Sequence, residues 1–150
     1  MFLFDVALST PTPVPSPMPD TPVAGLWTFL PFGYLLTILV ETPILVVGLS
    51  GKITLRQKLL CGAWLSACTY PIVVLVLPTI LADYPRWQYL IVAETFAPVA
   101  ECLLFWLAFR GKDNLNRIDW ANCFIAIVVA NLGSFGLGEI FNYYGWFGLL

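Results

Sequence analysis

From Leu59 to Ala82 the chain runs without a single charged side chain, farther than the ~20 residues an α-helix needs to cross the hydrocarbon core of a bilayer. A segment in that medium must satisfy every backbone N–H and C=O internally, and outside a closed barrel only an α-helix does so. Three further stretches, at about 32–50, 87–109 and 120–141, have the same apolar character. The predicted fold class is therefore all-α: an integral membrane bundle of four transmembrane helices, spans about 32–50, 59–82, 87–109 and 120–141, within a transmembrane domain covering 26–150. With short connections, 150 residues are expected to hold these helices and no separate extramembrane domain.

Composition narrows the chemistry. The chain is 59% hydrophobic and 11% charged, where soluble domains carry roughly a quarter charged residues. Seven Lys and Arg form no basic stripe, so nucleic acid is not an expected partner. There are 0 His, and histidine is both the commonest metal ligand and the commonest general base. No haem site with an axial His, zinc site or Ser-His hydrolase is expected, and the chain is not expected to be an enzyme. Cys61, Cys68, Cys102 and Cys123 all lie in apolar segments without a C-x-x-C pair, so they read as small reduced fillers rather than a redox centre.

Ahead of the first span, residues 1–25 form a Pro-rich tail holding Pro11, Pro13, Pro15, Pro17, Pro19 and Pro22, which favours extended polyproline geometry. A basic n-region is missing and the first apolar run is broken at Asp5, so signal-peptide cleavage is not expected. Pro31 suits the first turn of the first span. Pro71 and Pro78 each remove a backbone donor and predict a kinked second helix.

Lys and Arg near span ends are retained on the cytoplasmic side. Lys52, Arg56 and Lys58 follow the first span and Arg110, Lys112 and Arg117 follow the third, leaving only Arg86 for the opposite face. Both termini are therefore expected on the non-cytoplasmic side. That topology also gathers Trp27, Tyr84, Trp87, Tyr89, Tyr143, Tyr144 and Trp146 at the outer interface, where amphipathic rings prefer to sit.

The unusual residues are acids. Glu41 stands near the middle of the first span; Glu94 and Glu101 lie seven residues apart on the third, hence on one face with ~10 Å of rise between them. No Lys, Arg or His lies inside a span to neutralise them. An ionised acid at mid-bilayer costs on the order of 3 kcal/mol on insertion scales, so these carboxyls are expected to be mostly protonated. They have three outcomes: bonding across helices to Asn131, Asn122, Ser66, Thr69 or Tyr70, binding a cation or proton in transit, or meeting a partner's charge or cofactor. Glu41, Glu94, Glu101 and Asn131 are the expected intramembrane polar site. Glu139, close to the outer end of the fourth span, is expected to be solvated. Ala130, Ser134 and Gly138 recur every four residues, with Gly133 and Gly136 between, a small-xxx-small face for close helix packing.

Glu41-Thr42-Pro43, Thr69-Tyr70-Pro71, the pair Glu94 and Glu101, and Asn131-Leu-Gly-Ser-Phe-Gly-Leu-Gly138 together resemble a family of small four-span bacterial integral membrane proteins without an established activity. The resemblance covers about residues 35–140 and implies the same topology and the same choice of glutamates. Its members often carry an Asn where Ser66 stands here.

Two functions follow from these features. The first is a non-catalytic accessory or structural subunit of a larger membrane complex, such as an energy-converting or photosynthetic assembly, whose partners are membrane lipids and other membrane protein subunits. Its carboxylates would contact a partner or a cofactor such as a pigment or lipid. The expected location is a bacterial-type inner or photosynthetic membrane. The second is a small proton- or cation-coupled transporter using Glu41, Glu94 and Glu101. The strong charge bias of the loops disfavours it, because small four-span exporters often assemble in opposed orientations. An acid/base pair of Glu94 and Glu101 would need Pro98 to bend them together.

Overall fold

A computed structural model describes residues 23–111 and 115–143. The Pro-rich stretch up to residue 22, Lys112, Tyr144 and Trp146 lie outside the described residues, as does the side chain of Trp27. The chain is 86% helical with no strand among the described residues. Its helices are α1 (Val23–Gly48), α2 (Leu55–Ile80), α3 (Arg86–Phe109) and α4 (Arg117–Tyr143). Each contains a stretch long and apolar enough to cross a membrane, with mean hydropathy between 1.7 and 2.0.

Local side-chain bonds fix where helices begin. The Thr54 hydroxyl accepts from Gln57 N at 3.4 Å while the Gln57 side chain accepts from Thr54 N at 3.2 Å, a reciprocal box that satisfies two orphan donors and starts α2 before its apolar run. Asn116 and Asp119 repeat the device on α4, at 2.8 and 2.9 Å. The expectation for Pro31 is not met, because α1 begins at Val23 and both Pro31 and Pro43 lie inside it. The expected distortion of α2 takes the form of a π-helical segment, Ile72–Val76. There Leu77 N donates to Ile72 O rather than to Val73 O, and Pro78 has no N–H to offer. Val73 O, left without a helical donor, accepts from Tyr89 Oη on α3 at 3.1 Å.

Short connections make sequential helices antiparallel neighbours. α1 packs on α2 and α4, and α3 packs on the same two helices, so α1 and α3 occupy opposite corners of the bundle. The tightest approaches use glycine. A Cβ on Gly62 of α2 would stand 3.0 Å from Thr42 Cα of α1, and one on Gly48 would stand 2.6 Å from Ala126 Cβ of α4.

The two halves of the bundle are filled differently. The half next to residues 49–54, 110–111 and 115–116 holds the apolar core: Leu45, Leu49, Leu65, Phe105, Cys123 and Ile127 are buried there, with Phe105 stacked on Phe109 at 4.6 Å and edge-on to Trp120 at 5.8 Å. Polar contacts close the same end. Lys58 Nζ, buried, donates to Val46 O at 2.9 Å and Leu49 O at 2.6 Å, placing a cation on the carbonyl end of α1, where the helix dipole favours it. Ser50 and Lys52 reach Asp119 at 2.8 and 2.6 Å. The opposite half contains the buried carboxyls Glu41 and Glu101 and a cavity.

Candidate functional site

Glu41 and Glu101 come from the two diagonal helices, and each is held by one residue of α2 and one of α4. Ser66 Oγ and Ser134 Oγ each lie 2.6 Å from a different oxygen of Glu41. Thr69 Oγ1 and Asn131 Nδ2 each lie 2.7 Å from a different oxygen of Glu101. The residue types and spacing explain how this arises: Ser66 and Thr69 are three apart on α2, Asn131 and Ser134 three apart on α4, so each pair shares one helix face. Ser134 Oγ also lies 2.9 Å from Asn131 O, which joins the two halves into one network from Ser66 through Glu41, Ser134, Asn131 and Glu101 to Thr69. Glu41 and Glu101 are 2% and 1% exposed. Buried this deeply, each carboxyl oxygen needs a partner, and each has one.

Glu41, Ser134, Asn131, Glu101 and Thr69 of this network form the floor of a cavity of about 200 Å³. Its walls include Leu36 and Thr37 of α1, Tyr70 and Val73 of α2, Ala93, Glu94 and Ala97 of α3, and Phe135 and Gly138 of α4. Antiparallel packing places these positions in the half of the bundle away from the basic loops. Glu94 is half-buried on the wall, within electrostatic reach of Glu41 below and Glu139 above. It has no hydrogen-bond or ion-pair partner among the described residues. Glu139 is not merely solvated: its two oxygens accept from Arg86 Nη2 at 2.7 and 3.0 Å. That pair is substantially exposed, at the end of the bundle where α3 begins and α4 ends. Acids thus descend from a half-exposed ion pair, through Glu94, to a saturated floor.

The four residues singled out from sequence all border this cavity. Glu94 and Glu101 do not form an acid/base pair, since no hydrogen bond joins them and α3 continues through Pro98. Ser134, expected as a packing residue, is a ligand of Glu41; its i+3 spacing from Asn131 was the available signal. Ala130 is fully buried, and a Cβ on Gly133 would stand 3.1 Å from Ile44 Cδ1. Gly136 and Gly138 have open space where a Cβ would stand, so the small-residue face packs closely only in part, and at Gly138 its smallness leaves room in the cavity. Asn122 is exposed and far along α4 from the network. No group of three or more His, Cys, Asp or Glu suited to a metal ion occurs among the described residues, and none of the four cysteines is in a disulfide.

Fold and site together define a class: an all-helical bundle with four membrane-length helices and a carboxyl-floored cavity in one half. Comparisons with protein-family models, curated proteins and solved structures found no match.

Proposed function

We propose that this chain is an integral membrane protein that binds protons, or a small cation in exchange for them, in its carboxyl-floored cavity, and that it works as a small proton- or cation-coupled transporter. The carrying observation is the convergence of Glu41, Glu94 and Glu101 on one cavity with no basic side chain among the described residues bonded to any of them. Acids used only as helix glue need no cavity, whereas titrating acids need a route to water. The sidedness of the packing supports single-ended access in this conformation: an apolar core fills the basic-loop half and the cavity occupies the other. By the retention of Lys and Arg on the cytoplasmic side, the cavity faces outward and both termini are non-cytoplasmic.

The test is reconstitution in liposomes with an imposed pH gradient and an entrapped pH-sensitive dye, in sodium, potassium or ethylammonium chloride. The proposal expects the gradient to collapse faster than in protein-free vesicles in at least one salt, and Glu41→Gln and Glu101→Gln to abolish the difference. Collapse no faster than in protein-free vesicles in every salt contradicts it.

The accessory-subunit function has one observation in its favour. Between α1 and α4 runs an apolar outer groove lined by Pro43, Ile44, Val47, Ile125 and Val129, with the amide of Asn122 among them. A polar amide on a lipid-facing surface is better satisfied by a partner helix than by lipid. Purification in mild detergent with another membrane protein at fixed stoichiometry would favour that function; recovery as a lone chain would oppose it.

A further inference from the structure

Each hydroxyl that binds a carboxyl in this network has two acceptors in reach and one proton to give. Ser66 Oγ lies 2.6 Å from Glu41 Oε2 and 2.8 Å from Gly62 O. Ser134 Oγ lies 2.6 Å from Glu41 Oε1 and 2.9 Å from Asn131 O. Thr69 Oγ1 lies 2.7 Å from Glu101 Oε1 and 3.2 Å from Leu65 O. A hydroxyl turned to the carboxyl donates to a carboxylate. Turned to the backbone carbonyl, it presents a lone pair that accepts the proton of a carboxylic acid.

Asn131 behaves differently. Its Nδ2 carries two protons and donates both, to Glu101 Oε2 at 2.7 Å and to Ile127 O at 3.0 Å. The bond to a carbonyl fixes which end of the amide points at Glu101. Oε2 is therefore an acceptor in every state, and a proton carried by Glu101 sits on Oε1, facing Thr69. Glu41 meets a hydroxyl on both oxygens, so its proton has two equivalent seats.

We infer that Ser66, Ser134 and Thr69 are proton switches: by rotating one O–H bond each, they let Glu41 and Glu101 gain and lose protons while every carboxyl oxygen stays hydrogen-bonded and the helices stay in place. The inference rests on the proton-coupled function and specifies how the floor of the cavity performs it. On loading, a hydronium ion reaching the cavity gives up one of its O–H bonds and is left as water, and the proton forms an O–H bond at Glu101 Oε1. Thr69 then swings its own proton from Oε1 to Leu65 O and accepts from the new acid. No other covalent bond forms or breaks, and unloading is the reverse. The other titratable or charged groups around the pair are Tyr70 on α2, Glu94, Tyr89 and Cys102 on α3, and Glu139 with Arg86. None of these bonds to either carboxyl, so among the described residues the hydroxyls and Asn131 set its hydrogen bonding. Ser66, Ser134 and Thr69 are positioning residues in this scheme.

Infrared spectroscopy of the full chain in lipid nanodiscs, from mildly acidic to mildly alkaline pH, tests it without any substrate. The carboxylic-acid C=O bands of Glu41 and Glu101 are assigned by their loss in Glu41→Gln and Glu101→Gln. The inference expects both bands to appear and vanish reversibly with pH. Thr69→Val, nearly isosteric, should move the Glu101 band to higher frequency because the acid loses its acceptor, and Thr69→Ser should return it to the wild-type position. The Glu41 band should move strongly only when Ser66→Ala and Ser134→Ala are combined. Reversible bands that ignore Thr69→Val, or a Glu41 band displaced as much by Ser66→Ala alone as by the pair, overturn the switches and leave proton coupling standing. Bands that never respond to pH overturn both.

Discussion

Gly62→Ala offers the sharpest test of how the bundle brings Glu41 to Ser66. The new Cβ would lie against Thr42 Oγ1, 2.9 Å from Thr42 Cβ and 3.0 Å from Thr42 Cα. The last of these is backbone, so rotating a side chain does not relieve it and α1 must move away from α2. Overpacking of this kind costs about 1–3 kcal/mol. Alanine recovers about 1 kcal/mol of helix propensity relative to glycine, and straining the Ser66–Glu41 bond one turn away costs back about 1 kcal/mol. The net expectation is a loss of about 1–3 kcal/mol, or roughly 2–12 °C in thermal midpoint for a chain of this size. Gly136→Ala is the control, since nothing lies within 4 Å of its Cβ position. It should show the propensity gain alone, raising the midpoint by roughly 2–4 °C. Thr42→Gly in the Gly62→Ala background should return part of the loss by removing two of the three obstructing atoms. Thermal unfolding followed by near-UV circular dichroism in detergent measures all four proteins. A Gly62→Ala midpoint at or above wild type would refute the close-approach account.

Asn131→Ala removes the one donor to Glu101 Oε2 and should cost about 1–3 kcal/mol, whereas Glu101→Gln, whose amide still pairs with Thr69 and Asn131, should stay within about 1 kcal/mol of wild type; the same melts decide. Lys58→Met strips the cation from Val46 O and Leu49 O and should cost about 1–2 kcal/mol, with hydrogen exchange rising first at the last turn of α1. Glu139→Gln breaks a half-exposed ion pair and should change stability by less than about 1 kcal/mol; a larger loss would mean that the Arg86–Glu139 contact holds the bundle together. A tag fused to the N-terminus should be reached by an impermeant label only from the face opposite the basic loops, and labelling from the basic-loop face would reverse the topology.

Helix number and membrane-length character were legible in the sequence because charge-free runs of that length have few alternatives. Glu41, Glu94, Glu101 and Asn131 were legible for the converse reason, as polar groups placed where lipid or core must otherwise be. What their types did not reveal was the division of labour. Glu94 and Glu101 share a helix face by spacing, yet one is saturated and the other has no hydrogen-bond partner among the described residues, because Thr69 and Asn131 reach only the level of Glu101. Ser134 looked like a packing residue because small size and a hydroxyl coincide in serine; its role depends on α1 standing near enough to present Glu41. Lys58 was counted as a loop cation since it precedes the apolar run, but the Thr54 capping box extends α2 backwards and turns Lys58 inward to the end of α1. The Arg86–Glu139 pair joins helix ends far apart in sequence, and no local pattern announces it.

Single-ended access to the carboxyl floor is the claim on which the functional account turns, and cysteine accessibility measures it directly. With Cys61, Cys68, Cys102 and Cys123 replaced by alanine, single cysteines are placed at Thr37 and Ala97 on the cavity wall and at Leu65 in the apolar core, and oriented vesicles are treated with a membrane-impermeant thiol reagent from each side in turn. The account predicts that Thr37→Cys and Ala97→Cys react only from the face bearing Arg86 and Glu139, with Leu65→Cys silent from both. Reaction of the wall positions from the basic-loop face, or their silence from both faces, would contradict it.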